Sequence, residues 1–185
     1  MTLTKQNIES LLVLCQEGNQ LAQLEVYNRY QRAMYNTALR IVKDSAEAED
    51  IMQESFLTAF EKLHTFKGDA SFGAWLKRIV VNNSIAQFRK AQRISTVSDD
   101  QIPLAADEVA DGLDSEDYSE LQVSRLMETM NELHSSYRQI LTLHFVEGFD
   151  YEEICQIMDI SYANCRTMIS RAKESLRKKL IIHHE

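Results

Sequence analysis

Apolar residues recur along this chain at the helical interval, and no segment alternates convincingly at the strand period of two. Ile8, Leu11, Leu12 and Cys15 form a first short amphipathic pattern, expected to pack on an N-terminal domain. In the stretch KDSAEAEDIMQESFLTAFEKLHTF, Asp44 and Glu47 stand at capping-box spacing, which predicts a long helix behind them. Its apolar stripe is Met52, Phe56, Ala59, Phe60 and Leu63, with Glu47, Asp50, Glu54, Thr58 and Glu61 opposite. A glycine-containing loop from Phe66 to Ser71 comes next. Phe72, Trp75, Leu76 and Ile79 then predict a further helix with those side chains inward.

The same period returns near the C-terminus. A helix over about Tyr137 to Glu147, ended by Gly148, offers Ile140, Leu141, Leu143 and Phe145 to a core. Asp150 and Glu153 again have capping-box spacing, so a helix is expected from Tyr151 with Ile154, Cys155 and Met158 on its buried side. Asp159-Ile160-Ser161 ends it, and Ser161 is placed to cap the next helix. There Cys165, Met168, Ile169, Ala172, Leu176 and Leu180 share one face, while Ala163, Thr167 and Ser170 lie opposite, flanked by Arg166 and Arg171. Two short helices in this relation form a helix-turn-helix whose second helix does the reading.

Composition agrees with an all-α chain: five glycines and one proline are few for 185 residues. Charge changes the picture more. From Ile94 to Ser124 there is no lysine or arginine but there are nine carboxylates: Asp99, Asp100, Asp107, Glu108, Asp111, Asp114, Glu116, Asp117 and Glu120. Setting those aside, a net charge of -8 becomes +1 for the remainder, so the acidity belongs to one segment. That segment also holds Pro103 and lacks sustained helical periodicity before about Tyr118, which predicts an acidic flexible linker. Two small helical domains follow, at about 1 to 93 and 121 to 185, with the linker at 94 to 120.

Outside the linker, two basic stretches stand out. Ile160 to Glu185 carries a net +4, including Lys173 beside Arg171. Small polar residues between guanidinium groups suit approach to base edges and phosphates. The plain alternative is a helical hairpin whose solvated face is basic. Lys77, Arg78, Arg89, Lys90 and Arg93 give +5 with no carboxylate among them. A basic helix beside an aromatic-bearing loop is the composition that single-stranded nucleic acid requires. Trp75 itself sits at core spacing, which favours packing over stacking on a base.

Other chemistry is thin. Cys15, Cys155 and Cys165 are odd in number and show no CxxC spacing, so they read as small buried or half-buried residues rather than a disulfide framework or zinc site. No nucleophile-base pair, phosphate-binding glycine loop or metal cluster is evident; neither catalysis nor a cofactor or metal is expected, and His64, His134, His144, His183 and His184 read as surface or packing residues. The apolar runs are far shorter than the roughly 20 residues that span a bilayer, and no signal-peptide pattern follows Met1. A cytoplasmic protein without membrane insertion is expected.

Three segments taken in order, DSAEAEDIMQESFLTAFEKL, FKGDASFGAWLKRIVVNN and GFDYEEICQIMDISYANCRTMISRAKESLRKKL, resemble bacterial RNA polymerase sigma factors of the extracytoplasmic-function (ECF) group. The resemblance covers about residues 20 to 93 and 121 to 180. It implies a region 2 domain and a region 4 domain that direct core RNA polymerase to promoters. By that resemblance Asp50, Gln53, Glu54 and Phe56 match the motif that docks on the β′ clamp helices, and the β flap would be a second polymerase contact. Phe66, Lys67, Gly68, Asp69, Ala70, Ser71 and Asn82 match the minus-10 element that captures a flipped non-template base, with Arg78, Arg89 and Arg93 on the DNA backbone. His144, Arg166, Thr167, Ser170, Arg171 and Lys173 would serve the minus-35 element, and the linker would run toward the polymerase cleft. An anti-sigma factor is the further partner implied.

The chain departs from the family pattern in places. LHSSYRQI lacks the prolines common where region 4 begins, His144 stands where arginine is frequent, Cys165 replaces a usual valine, and Ser170 a bulkier residue; these bear on which minus-35 sequence is preferred. An ordinary helix-turn-helix regulator would account for the C-terminal domain but leaves the basic loop and helix at 66 to 93 without a role. An anti-sigma protein is the third class, and the HxxxCxxC zinc motif of many such proteins is absent.

Overall fold

A computed structural model of the chain describes residues 3–95 and 120–182, all of whose regular structure is helical. The chain divides into two compact units, Met1–Ser98 and Asp99–Glu185. Residues 96–119 of the expected linker, with Pro103 and eight of its nine carboxylates, lie outside the described residues, as do His183 and His184, while Ile94 and Ser95 end one helix and Glu120 begins another.

Four helices build the first unit: α1 (Ile8–Gln16), α2 (Gln20–Val42), α3 (Ser45–Glu61) and α4 (Phe72–Ser95). Polar caps start them. Asn7 accepts from the Ser10 amide at 2.9 Å, Asn19 from Ala22 at 3.1 Å, Asp44 from Glu47 at 2.9 Å, and the Ser71 hydroxyl from Ala74 at 3.2 Å. Lys43 ends α2 in the left-handed region, at a φ of 65°. The periodic pattern beyond Glu61 becomes a 3-10 turn, Leu63–Thr65, instead of continuing α3.

α2 is the hub, packing against α1, α3 and α4. It is also the helix that the sequence patterns left unmarked. Alanines at 22, 38, 48 and 59 are fully buried, and their size lets the helices approach closely. Leu11, Val26, Met52, Phe56, Leu63, Phe72, Leu76 and Val80 fill the space between. The N-terminal segment is fastened as expected through Leu11, Leu12 and Cys15, and also by a cation: Arg29 of α2 donates to the carbonyls of Gln6 and Thr4, both at 3.0 Å, while Glu25 holds its Nε at 2.8 Å.

The second unit comprises α5 (Glu120–Asn131), α6 (Ser135–Leu141), α7 (Tyr151–Met158) and α8 (Tyr162–Ile182). α8 carries it, with α5, α6 and α7 against its buried face at Cys165, Ile169 and Ala172. The capping box of α7 forms as predicted: the Glu153 amide donates to Asp150 at 2.8 Å, and the Asp150 amide to Glu153 at 3.1 Å. Asp159, at a φ of 50°, ends α7, and Ser161 accepts from the Asn164 amide at 3.2 Å to start α8. Ile157, absent from the predicted stripe, is buried, whereas Cys155, Met168, Leu176 and Leu180 are half-buried at its edges.

One expectation fails. Phe145 is not in the core but 51% exposed. α6 runs on as a π-helical turn, Thr142–Val146, closed by the Glu147 amide on the Thr142 carbonyl at 2.9 Å. In an α-helix, Leu141 and Phe145 would share a face; the wider turn inserts a residue and rotates Phe145 off it. Leu143 stays fully buried.

The two residues should therefore behave oppositely on truncation. Leu143→Ala is expected to cost about 2–5 kcal/mol, whereas Phe145→Ala should stay within about 1 kcal/mol, both read from urea unfolding of the full chain. Asp150→Ala, which removes a cap, should cost about 1 kcal/mol in the same measurement.

Candidate nucleic-acid and polymerase interfaces

Three surfaces collect the expected functional residues. The first is the outer face of α3. Asp50, Gln53 and Glu54 are exposed there, and Gln53 donates to Glu49 at 3.3 Å. Phe56, which the sequence placed on the apolar stripe as well as in the docking motif, is 2% exposed, with its ring 4.8 Å from Tyr27 and 6.1 Å from Phe60. It holds α3 on α2 rather than joining the outer face. Leu57, which the apolar stripe had no place for, lies on that face; it is 66% exposed, one helical turn beyond Gln53 and Glu54 and two beyond Asp50. The signal was present in the sequence, as an apolar residue on the polar side of the helix.

The second surface is the loop 66–71 with the outer side of α4. Phe66 is half-buried, its ring 5.8 Å from Phe72 and 5.4 Å from Trp75. Trp75 thus packs, as its spacing implied. Lys67, Gly68, Asp69, Ala70 and Ser71 stand exposed beyond this aromatic anchor. Gly68 has a φ of 80° with open space where a Cβ would sit, so backbone conformation and not crowding favours glycine there. Ser71 is partly committed, because its hydroxyl caps α4.

Asn82 is exposed on α4, and its neighbour Asn83 turns inward to donate to the Ser55 hydroxyl at 3.0 Å. Ser55 in turn donates to the Ile51 carbonyl at 2.6 Å, which ties α4 to α3 and fixes the rotation that presents Asn82 outward. At 1.5 Å per residue, about 15 Å of helix separates Phe72 from Asn82, so loop and asparagine are not one pocket but two points along a path. Arg78 and Arg89 are half-exposed on the same helix, Lys90 is exposed, and Arg93 belongs to its final turns.

The third surface is the outer side of α8. Ala163 and Arg166 are exposed, and Thr167, Ser170 and Arg171 half-exposed. The Thr167 hydroxyl donates to the Ala163 carbonyl at 2.9 Å, which leaves its oxygen free to accept. Lys173 leans toward the π-helical turn, with its ammonium 5.3 Å from the centre of the Phe145 ring. His144 bonds through Nδ1 to the Phe149 carbonyl at 3.0 Å, so that nitrogen carries the proton, and its ring meets Phe145 and Tyr151. The π-helical turn, invisible to a search for 3.6-residue periodicity, creates this aromatic and cationic edge next to α8.

Among the described residues no group of three His, Cys, Asp or Glu side chains is placed to hold a metal ion, and no helix is long and apolar enough to cross a membrane.

Residues 26–94 match Sigma-70 region 2, and residues 124–176 match Sigma-70, region 4. The chain is 32% identical to the ECF RNA polymerase sigma factor SigM of Bacillus subtilis, over 83% of its own length and 91% of that protein. With the RNA polymerase sigma-H factor of Pseudomonas aeruginosa it shares 29% identity across 96% of both chains, and with the ECF RNA polymerase sigma-E factor of Escherichia coli 31% across 89% and 90%. Among solved structures, the sigma factor RpoE of Bartonella quintana, in complex with the anti-sigma factor NepR, has the same fold: TM-score 0.56 at 24% identity, over 85% of this chain and 96% of that one. With a region 2 fold that exposes a polar α3 face, a region 4 fold that presents a basic helix, and relatives alike along most of their length, the chain belongs to the ECF RNA polymerase sigma factors, which act in transcription initiation.

Proposed function

We propose that residues 1–93 dock on the β′ clamp helices of core RNA polymerase and hold the minus-10 element, that 94–120 link, and that 121–185 read the minus-35 element beside the β flap. The observation that carries this reading is the partition of α3: Asp50, Gln53 and Glu54 lie exposed on one face while Phe56 is spent on the core. A sigma factor needs such a face for its polymerase; a free-standing DNA-binding regulator does not.

Promoter melting on this reading takes no covalent chemistry, and the protein is not an enzyme. Unpairing and flipping a base costs a few kcal/mol, which a pocket that accepts only the flipped base offsets. The exposed loop 67–71 and Asn82 are the contacts for that base and its neighbours, with Arg78, Arg89 and Arg93 along the backbone. In α8, Arg166, Thr167, Ser170 and Arg171 face the major groove, and His144 and Lys173 extend the contact to phosphates. The protein works in the cytoplasm, where polymerase and promoter are. An anti-sigma factor, the kind of partner that the Bartonella quintana protein has, would act by covering Asp50, Gln53 and the α8 face.

The test is initiation by bacterial core RNA polymerase from a promoter library. Promoter-specific transcripts with the wild type, reduced at least tenfold (about 1.4 kcal/mol) by Asp50→Ala with Glu54→Ala, are expected. Specific duplex binding without initiation on any core enzyme would point to a plain regulator. Arg166→Ala should weaken holoenzyme binding by about 1–3 kcal/mol on promoters with a minus-35 element, and much less where that element is scrambled, as gel shift can show.

A further inference from the structure

Cys155 and Cys165 sit on α7 and α8, the two packed helices of the helix-turn-helix, near enough for their side chains to interact. Cys165 is fully buried on α8, and its Sγ lies 3.9 Å from the carbonyl oxygen of Tyr151. Tyr151 precedes Cys155 by one turn of α7. Side chains on a helix lean toward its N-terminus, so the Cys155 sulfur is carried to the same spot.

The two thiols differ in access. Cys155 is half-exposed, within reach of a small oxidant. Burial, and then the neighbouring Cys155, push the Cys165 thiol up to about 11, so it stays protonated and shielded until its partner has reacted. Cys15, in the other unit, is buried on α1 and has no such neighbour among the described cysteines.

We propose that Cys155 and Cys165 form a reversible oxidation site that fastens the two helices of the helix-turn-helix together, with a hydroperoxide as the oxidant. The Cys155 sulfur attacks the O–O bond of hydrogen peroxide, giving a sulfenic acid and one water. The Cys165 sulfur then displaces the hydroxyl from that sulfur; the hydroxyl leaves with the Cys165 proton as a second water, and the S–S bond forms. Two thiols lose two electrons and two protons while one peroxide becomes two waters. Small-molecule thiols reverse the bond through a mixed disulfide, as befits a transient intracellular bridge.

At about 2.05 Å between its sulfurs a disulfide is shorter than any non-bonded contact between them, so its formation draws the first turns of α8 toward α7. Arg166 adjoins Cys165 and Thr167 follows it. This consequence rests on α8 being the DNA-reading helix: base contacts tolerate about 0.5 Å of displacement, so the bridged protein binds the minus-35 element more weakly.

The full-length wild type and its Cys155→Ser, Cys165→Ser and Cys15→Ser variants would be treated with hydrogen peroxide, quenched with catalase, and split between mass analysis and assembly with untreated core polymerase. Expected in the wild type and Cys15→Ser are a loss of about 2 Da, a peptide joining Cys155 to Cys165, and reversal by dithiothreitol; neither of the other variants should form that peptide. The bridged holoenzyme should bind a promoter with a minus-35 element about three- to tenfold more weakly than the reduced one, with Cys155→Ser indifferent to peroxide. Oxygen addition at Cys155 without the joined peptide overturns the site. A complete bridge with unchanged promoter affinity overturns its effect on DNA. If Arg166→Ala leaves the reduced holoenzyme unaffected, the reading of α8 fails by itself, and the joined peptide still decides whether the site exists.

Discussion

Each unit depends on one helix that buries its apolar stripe against all the others, α2 in the first and α8 in the second. Helices shorter than about a dozen residues are marginal in water, and α6 and α7 have seven and eight. They persist because Ile140, Leu141, Ile154 and Met158 leave water on packing near Cys165, Ile169 and Ala172 of α8. The helix proposed to read DNA is therefore also the one on which its own domain is assembled. That economy lets a unit of little more than sixty described residues present a rigid surface.

Outward and packed side chains stand within one or two residues of each other in both units. Glu54 and Phe56, Asn82 and Asn83, Leu143 and His144, Cys165 and Arg166 are near neighbours with opposite fates, one facing out and the other holding the element in place. At 100° per residue, a helix presents an outward side chain in a defined direction only if an inward neighbour fixes its rotation. Asn83 on Ser55 does this for α4, and Phe56 between Tyr27 and Phe60 does it for α3.

Electrostatics follow the division between segments rather than the net charge. The acidic run between Ile94 and Ser124 accounts for more than the whole excess of carboxylates, so α4 and α8 keep a basic balance within an acidic protein. A pI of 5.2 averages over this separation and hides it.

The sequence by itself determined the helical class, the caps at Asp44, Asp150 and Ser161, the helix-turn-helix, the aromatic anchor at Phe72 and Trp75, and the family, because these depend on spacing and local chemistry that survive without a partner helix. It left α2 unmarked, although the buried Ala22, Val26, Met34, Ala38 and Ile41 stand at the helical interval. Three assignments waited for the tertiary structure. Phe56 could serve either a docking motif or the core until Tyr27 closed over it; Phe145 needed the π-helical turn before its direction was set; and Cys155 and Cys165, ten positions apart in sequence, come near each other only because α7 packs on α8. Periodicity fixes the face of one helix, but which residues meet across two helices depends on the crossing, and the crossing is decided by the packing of the whole unit.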